Sequence, residues 1–498
     1  MRHRKLLLVA AAVTSAVVML SACSSPSATP SANTDGTLRV ALVLEPTDLN
    51  IRTTSGAALD QVLIDNVYQG LVSRTEDGKI VDTLAKSHEV SSDGLTYTFT
   101  LQDGVTFHDG KALTADDVVD SLTQVKTNEA FQGNADLQKV SEITAPDEKS
   151  VKLTLSAPDS NLLWNLTGRA GLVLEKGDAN DLSKTANGTG PFTLKTWKQG
   201  DSITFDRFDK YWGDKPKVKE VVFSYIPDPA SAVNAVLAGE VDVQTALNAN
   251  LRDQIAKDKD LKITEGKTTD KYTLAFNNQK APLNDPLVRE ALRSAIDHKA
   301  IIKAVGDAAV EQFGPIPELD PGYENLSKLV TYDPEKAKSL LKQAGQENLT
   351  LTLTIPSFYG TDVSNVLVSE FKAVGVTLKV DNVEFPTWLN DVYTNHDYDL
   401  SFVNHVEARD FGNWANPNYY FGYDNAQVQS LYAESVAATD PAVADEKLKE
   451  AAFLVSKDNA ADWLYTAITL TVVHSGVTGF PVDSVNSRIN LAKVAVSE

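Results

Sequence analysis

The chain has 498 residues, of which 42% are hydrophobic and 23% are charged, so it is long enough for two or three domains with large hydrophobic cores. Its formal net charge of -21 argues against non-specific nucleic-acid binding, because phosphate backbones are neutralised by an excess of Lys and Arg. The single cysteine excludes an intrachain disulfide and any cysteine-based zinc or iron–sulfur site.

The first residues have the order of a secretory signal, with a basic start, a short apolar run and small residues at a cleavage site. The uncharged apolar run covers residues 6–20, which is short for a membrane-spanning helix. The sequence Leu-Ser-Ala-Cys that follows resembles a bacterial lipobox, in which the cysteine is lipidated. We therefore predict a lipoprotein signal peptide over residues 1–22 and lipidation of Cys23. The alternative is a plain signal peptide followed by an incidental cysteine.

A tract rich in Ser, Pro, Thr and Ala follows at residues 23–36. Such a tract cannot build a hydrophobic core and is typical of a flexible tether. No later stretch contains 18 consecutive apolar residues, so no further membrane span is predicted. The expected location is extracytoplasmic, with a globular body anchored by the lipid on Cys23 to the outer face of the cell membrane.

The rest of the chain alternates predicted strands and helices. In chain order the patterns predict a strand at 37–44, a helix at 57–72, a strand at 96–102, a helix at 115–126, a strand at 151–155, helices at 286–304 and 334–345, a strand at 349–355, a helix at 362–374 and a strand at 376–380. Thr114 and Asp117 have the spacing of a capping box at the start of the second helix. Strands joined by such helices indicate βαβ units and the α/β class.

The sequence contains none of the common catalytic or phosphate-binding motifs: no G-x-S-x-G, no P-loop, no H-E-x-x-H and no G-x-G-x-x-G. His396 and His405 are the only histidines near each other, and they are interpreted as loop residues rather than metal ligands. The paired carboxylates at 116–117 and at 206 and 209 have the positions of helix-start and turn residues. We therefore predict no catalytic residue, no metal site and no cofactor.

Residues 385–425 hold eleven aromatic residues, interleaved with Asn, Pro and a few charged residues. Rings that give contact area, together with a few polar groups that fix orientation, are typical of a small-molecule pocket. The alternative is an ordinary loop whose rings pack in the core. The Asn- and Pro-rich composition favours the pocket.

Five stretches, in order, resemble the extracytoplasmic solute-binding proteins of peptide and nickel ABC importers (solute-binding family 5). They are residues 84–122 (LAKSHEVSSDGLTYTFTLQDGVTFHDGKALTADDVVDSL), 188–192 (GTGPF), 208–242, 272–302 (YTLAFNNQKAPLNDPLVREALRSAIDHKAII) and 333–337 (DPEKA). Each motif alone is weak, but five in register are a strong signal, and the resemblance covers nearly the whole chain after the signal peptide.

The resemblance implies a periplasmic-binding-protein fold of the α/β class, with two lobes joined by a hinge and an extra inserted subdomain. Carried onto this chain, the expected segments are 37–66, 187–271 and 474–498 for lobe I, 67–186 for the inserted subdomain and 272–473 for lobe II. Lobes of this kind close around a ligand by hinge motion.

In peptide-binding members of the family, a lobe II carboxylate after a Tyr-Asp-Leu motif holds the α-ammonium of the ligand. Residues 398–400 have this motif, but the following sequence departs from the family pattern, so Glu407 and Asp410 both remain candidates. Arg409 or Arg169 would hold a ligand carboxylate through two parallel hydrogen bonds. The alternatives are rim charges, an ion pair with Arg409 and a surface role for Arg169. The other predicted contact residues are Asn404, Trp388, Trp414, Tyr419, Tyr420, Thr53, Thr54 and Ser55, of which the last three are equally suited to cap the first helix.

The predicted function is a lipid-anchored, monomeric receptor that captures a small peptide and delivers it to an ABC permease and its ATPase. It is not predicted to be an enzyme, because no nucleophile–base pair is found for a secreted hydrolase. A sugar oligomer or other organic solute, stacked on the rings near the candidate carboxylates, is the alternative ligand. Nickel or a metal chelate is disfavoured, because histidines are few and cysteine ligands are absent.

Overall fold

The computed structural model describes residues 35–484 and 488–497. The predicted signal peptide, Cys23 and nearly all of the predicted tether lie outside the described residues. Over the ranges that are described, no helix is both long enough and apolar enough to cross a membrane.

Most of the predicted strands are present within a few residues of their expected bounds. The strands in the described part of the chain are β1 (Thr37–Leu42), β2 (Val72–Arg74), β3 (Ile80–Asp82), β4 (Ala85–Val90), β5 (Thr96–Leu101), β6 (Val140–Asp147), β7 (Ser150–Leu155), β8 (Phe192–Lys198), β9 (Ser202–Arg207), β10 (Glu220–Tyr225), β11 (Val243–Gln244), β12 (Leu261–Phe276), β13 (Ala309–Val310), β14 (Thr350–Pro356), β15 (Thr377–Val383), β16 (Leu400–His405), β17 (Ala461–His474), β18 (Val477–Thr478) and β19 (Ala495–Val496).

The helices alternate with these strands along much of the chain. In the described residues they are α1 (Ala57–Leu63), α2 (Ala115–Thr127), α3 (Leu162–Leu166), α4 (Pro229–Leu237), α5 (Arg252–Ile255), α6 (Pro286–Ser294), α7 (His298–Ala304), α8 (Pro334–Gln343), α9 (Asp362–Ala373), α10 (Phe385–Trp388), α11 (Ala426–Ala437) and α12 (Pro441–Lys457). The predicted cap of α2 is present, because the backbone N–H of Thr114 donates to the carboxylate of Asp117 at 2.8 Å.

One mixed sheet of eleven strands runs through the described molecule, in the order β15-β14-β16-β12-β17-β11-β1-β10-β9-β8, with β13 beside β17. At one end β1 pairs in parallel with β10 and β11, and at the other β14 pairs in parallel with β15 and β16. Between them, the long strands β12 and β17 pair antiparallel, with a shift of register between Lys267 and Lys271. These two strands join the two ends of the sheet, which confirms the α/β class.

A separate antiparallel sheet of order β4-β5-β7-β6 forms with α2 a smaller layer. Its hydrophobic core is drawn from residues 71–173, which we call the small-sheet region. Two further clusters, one against α6 to α9 and one rich in aromatic rings, are drawn from residues 274–465, which we call the C-terminal region. The predicted bounds of the lobes and of the inserted subdomain stay a prediction.

Two predicted helices are wrong in extent. The helix expected over 57–72 ends at Leu63, and Asp65 then adopts a left-handed φ of 66°. The helix expected over 286–304 is broken into α6 and α7, because Asp297 accepts the N–H of Lys299 at 3.0 Å and starts a new helix. A local apolar pattern does not report such a break, since the pattern continues through it.

Candidate functional site

A cavity of about 1340 Å³ opens between the small-sheet region and the C-terminal region, and we call it the cleft. Trp164 and Arg169 line it on the small-sheet side, and residues 406–410 line it on the other. Asp270, next to the register shift of β12, also lines it. Small-molecule sites are clefts of roughly 300–1,000 Å³, so this cavity has ample room for an organic ligand.

The carboxylate of Glu407 is exposed on the cleft wall. It has no hydrogen-bond or ion-pair partner among the described residues. Glu407 lies two residues after the end of β16, in the loop that continues to the short helical turn at Asp410–Asn413. The strand therefore fixes the start of the loop, and the loop presents an acceptor-only group to the cavity.

Asp410, the other predicted carboxylate, already has an internal partner. Its side chain lies 3.1 Å from the ammonium of Lys271, which also donates to the backbone oxygens of Glu407 at 2.8 Å and Thr269 at 3.1 Å. Lys271 is only 2% exposed. Burial raises the pKa of Asp410, and the nearby Lys271 opposes that rise. Of the two candidates, Glu407 is therefore the one whose charge is free to meet a ligand.

Arg409 crosses the cleft to the small-sheet region. The carbon of its guanidinium lies 4.0 Å from the ring centroid of Trp164, and the guanidinium carbon of Arg74 lies 4.4 Å from the same ring. Such stacking is a cation–π contact. The buried Nε of Arg409 has no hydrogen-bond partner among the described residues, and burial lowers the pKa of Arg409 to about 10. The nearby carboxylate of Asp320 opposes that lowering of the pKa, but Arg409 forms no ion pair among the described residues.

The backbone of Arg409 is held in a left-handed conformation with φ of 59°. Its N–H donates to the carboxylate of Asp320 at 2.7 Å. Asp320 is 7% exposed, and its second oxygen has no partner among the described residues. Burial raises the pKa of Asp320 to about 6. This contact fixes the direction in which Arg409 leaves the loop.

The raised pKa of Asp320 leads to a testable pH dependence. Since the unfolded value is about 3.9, ionised Asp320 destabilises the folded state at pH 7, and the effect fades as the pH falls through about 6 toward 4. Compared with the wild type, we expect Asp320→Asn to have a higher free energy of unfolding at pH 7, and this gain to shrink by about 1 kcal/mol at pH 5. Urea unfolding of both proteins at pH 7 and pH 5 measures the difference in their free energies of unfolding. A difference that is the same at both pH values would contradict the prediction.

Arg169 does not offer its guanidinium to a ligand, which corrects its predicted role. Its Nε pairs with Asp60 at 2.6 Å, and its other nitrogens donate to the backbone oxygens of Ile51, Thr54 and Gly56. The side chain lines the cleft but is used in holding the loop before α1. An ion pair together with hydrogen bonds to three carbonyl oxygens indicates a structural role for Arg169.

The three predicted contact residues before α1 do not line the cleft. Gly56 and Ala57 line the cleft, whereas Thr53, Thr54 and Ser55 are not part of its lining. The hydroxyl of Thr54 donates to Asp48 at 2.5 Å. The cap of α1 is Gly56, with φ of 95°, so none of the three predicted residues caps the helix either.

The aromatic-rich stretch is mostly core. Trp388 and Trp414 are each 4% exposed and Tyr420 is 1% exposed. Trp414 stacks on Phe421 with ring centroids 4.0 Å apart, and the indole N–H of Trp388 donates to Ser401. The alternative of a packed core loop is therefore the correct one for these three rings. Half-buried Tyr419 lies in the same cluster, and none of the four predicted stacking rings lines the cleft.

Asn404 and His405 lie on β16 beside the cleft. The Asn404 amide donates to Asp270 at 3.4 Å, and His405 Nε2 lies 2.9 Å from the hydroxyl of Tyr420. Donor atoms of His405, Glu407 and Asp410 lie within 4.8 Å of one another. Since the Lys271 ammonium already supplies the positive charge at Asp410, we assign no metal to this group. His396, the sequence's candidate partner, is not in it.

Sequence reasoning missed two cleft residues, Asp270 and Trp164, and the buried Lys271 that pairs with Asp410. Asp270 and Lys271 gave no distinct signal, because the first eleven residues of β12 also carry Lys262, Glu265 and Lys267. Burial raises the pKa of Asp270. Trp164 gave no signal, because an aromatic residue in a short apolar helix is usually core.

Comparison with known proteins identifies the family. The model of the family described as "Bacterial extracellular solute-binding proteins, family 5 Middle" matches residues 79–429, most of the chain. The chain belongs to this family. Its members are binding proteins, so the prediction that the chain is not an enzyme is confirmed, and the family description agrees with an extracytoplasmic location.

Curated relatives cover much of the chain. The dipeptide-binding protein of Escherichia coli is 32% identical over 372 residues, 68% of this chain and 69% of the relative. The glutathione-binding protein GsiB of Pectobacterium atrosepticum is 27% identical over 467 residues, 88% of this chain and 89% of the relative.

Solved structures confirm the predicted periplasmic-binding-protein fold. The unliganded open form of the murein tripeptide-binding protein MppA is 21% identical with a TM-score of 0.83, covering 95% of this chain and 99% of that one. AgaA from A. tumefaciens R10, in complex with agropinic acid, is 27% identical with a TM-score of 0.73, covering 93% of this chain and 99% of that one.

Proposed function

We propose that this family 5 protein captures a short peptide in the cleft and delivers it to an ABC permease and ATPase. The observation that carries the proposal is a pair of opposite charges in one loop of the cleft wall, the carboxylate of Glu407 and the guanidinium of Arg409, neither of which forms an ion pair among the described residues. A short peptide is a zwitterion, and its ammonium and carboxylate complement these two groups. Hydrogen bonds to charged groups contribute about 1.5–3 kcal/mol each.

The names of the relatives support a peptide ligand. The relative from Escherichia coli is a dipeptide-binding protein, and a structure of DppA from Helicobacter pylori, 24% identical, contains the peptide STSA. We propose that the same class of ligand binds here. Because the carboxylate of Asp410 is paired with Lys271, we propose that Glu407 binds the ammonium of the peptide.

Hinge closure is proposed as the way in which the ligand is enclosed. The small-sheet and C-terminal regions touch across the cleft, where Ser160 donates its N–H to the Val436 oxygen at 2.9 Å and its hydroxyl to the Ser435 oxygen at 3.0 Å. A ligand that contacts both walls favours the state in which they meet. The shifted pairing of β12 and β17 is a suitable place for the hinge.

We also propose that Cys23 is lipidated, that residues 23–36 tether a monomer to the membrane and that the lobes have the predicted bounds. The signal-like start of the sequence and the separate hydrophobic clusters support these assignments. Mass spectrometry of the mature N-terminus tests the anchor, since an unmodified first residue would contradict it.

A thermal-shift panel tests the ligand class. We expect tri-alanine to raise the melting temperature in proportion to the logarithm of its concentration above the dissociation constant. Nickel chloride and maltotriose are expected to leave it unchanged. Agropinic acid is included because AgaA, 27% identical, binds it, and an organic solute of that kind is the second candidate. A shift with agropinic acid or maltotriose but with no peptide would overturn the peptide proposal.

A further inference from the structure

Lys271 is a buried positive charge on β12 that the proposed ligand contacts do not use. The residue is 2% exposed and is not among the residues that line the cleft. It directly follows the register shift of β12, where it pairs with Thr466 of β17 on one side and with His405 of β16 on the other. Lysine is almost never fully buried unless its ammonium is paired, so the contacts of this ammonium indicate its role.

The ammonium of Lys271 connects β12 to residues 406–410, which we call the cleft loop. It donates to the backbone oxygen of Glu407 at 2.8 Å and to that of Thr269 at 3.1 Å, and it pairs with the Asp410 carboxylate at 3.1 Å. These three contacts match the three N–H donors of an ammonium. One side chain therefore fastens two residues of the cleft loop, Glu407 and Asp410, to β12.

The position of the Glu407 carboxylate depends on this attachment. The side chain is exposed and has no hydrogen-bond or ion-pair partner among the described residues, so the backbone of the cleft loop sets where it lies. The backbone oxygen of Glu407 is the atom that Lys271 holds. The only other contact of this kind that we find between Thr269 and the cleft loop is longer, a hydrogen bond of 3.3 Å from the Thr269 hydroxyl to the oxygen of Val406. Loss of the Lys271 contact would therefore release the Glu407 carboxylate from its place on the cleft wall.

Arg409, the other proposed ligand contact, has anchors of its own. Its backbone N–H donates to Asp320 at 2.7 Å, and its guanidinium carbon lies 4.0 Å from the ring centroid of Trp164. Neither contact involves Lys271. The attachment by Lys271 therefore matters for the ammonium end of a bound peptide and much less for its carboxylate end.

Lys271 also determines how many unpaired carboxylates the cleft loop presents. Asp410 lines the cleft as Glu407 does, but its charge is balanced by Lys271. Glu407 is therefore the one carboxylate of the cleft loop that can attract an ammonium without breaking an internal ion pair.

From these contacts we infer that Lys271 is a positioning residue, which holds the cleft loop on β12 so that Glu407, and not Asp410, meets the ammonium of the bound peptide. This inference rests on the proposed function and gives a role in binding to a residue that does not touch the ligand. Lys271 acts through the backbone of Glu407 and through the charge of Asp410.

Calorimetry of Lys271→Met, in which a side chain of similar length lacks the charge, tests the inference. We expect free and C-amidated tri-alanine to bind at least about tenfold more weakly than to the wild type. N-acetylated tri-alanine, which has no ammonium, is expected to change by less than about threefold. Added to Glu407→Gln, the substitution should weaken the binding of tri-alanine no further, because both changes remove the same contact. The matched control is Lys262→Met, the same change at an exposed position of β12, which should bind all three peptides like the wild type.

A second variant removes the cost of leaving Asp410 buried without a counter-ion. Lys271→Met combined with Asp410→Asn removes both charges, and replacing both members of a buried ion pair is better tolerated than removing one. This double variant still lacks the contact to the Glu407 oxygen, so we expect the same selective loss of affinity for peptides with a free ammonium. Hydrogen exchange in the absence of ligand should be faster in the cleft loop of both variants than in the wild type.

The outcomes separate the positioning role from a general structural role and from the proposed function. An equal loss of affinity for all three peptides, or a loss that adds to that of Glu407→Gln, indicates a general structural role and overturns the inference. Unchanged affinity in the double variant, or unchanged exchange in the cleft loop of both variants, overturns it as well. In each of these cases the wild type still binds tri-alanine, so peptide capture stands. If the wild type binds none of the peptides, the proposed function fails and the inference fails with it.

Discussion

Replacing Asp462 by alanine is expected to lower the free energy of unfolding by about 3–5 kcal/mol. Asp462 is fully buried on β17, where it lies 2.8 Å from His298 Nε2 and 3.3 Å from Arg293 Nε. Burial disfavours its charged form, yet His298 and Arg293 hold its pKa below the ordinary value. Without the carboxylate, Arg293 would keep a buried charge with no counter-ion in this cluster.

Urea unfolding at pH 7 measures this effect. The matched control is Asp381→Ala, which removes an exposed carboxylate on β15 and is expected to change the free energy by less than about 0.5 kcal/mol. A loss below about 1 kcal/mol for Asp462→Ala would contradict the idea that this cluster fastens α6 and α7 to the central strand. Each half of the broken helix supplies one partner of Asp462, Arg293 from α6 and His298 from α7.

The second large effect is on ligand affinity. Glu407→Gln and Arg409→Ala are each expected to weaken tri-alanine binding at least tenfold, which is about 1.4 kcal/mol, because each removes the charge opposite one end of the peptide. Calorimetry of both variants measures it. Glu347→Gln, which removes an exposed carboxylate outside the cleft, is the control and should bind like the wild type.

End-blocked peptides make this prediction specific to each end. N-acetylated tri-alanine lacks the ammonium, so Glu407→Gln should not weaken its binding further. C-amidated tri-alanine lacks the carboxylate, so Arg409→Ala should not weaken the binding of this peptide further. If the blocked peptides lose as much affinity in the variants as the free peptide does, the assignment of Glu407 and Arg409 is wrong.

The sequence predicted well those features that depend on neighbours in the chain. The capping pair of Thr114 and Asp117, the strands on each side of the helices and the family blocks all depend on local spacing, and the fold followed from them. The break at Asp297 was missed, because the apolar pattern continues through the N-cap that starts the second helix.

The site was harder to predict because its chemistry depends on pairing between distant residues. Asp410 and Glu407 look equivalent in sequence, but only Asp410 pairs its carboxylate with Lys271, which lies 139 positions earlier in the chain. The rings of Trp414 and Tyr420 look like a ligand surface until their packing partners are known. Composition gives the types of residues and leaves open which of them face each other.

The central claim is that the cleft binds a short peptide by both of its charged ends. Titrating the purified wild-type protein with free, N-acetylated and C-amidated tri-alanine in a calorimeter tests it most directly. The account predicts one bound peptide per chain and at least a tenfold loss of affinity when either end is blocked. Binding of the blocked peptides as tight as that of the free peptide, or no binding of any of the three, would contradict it.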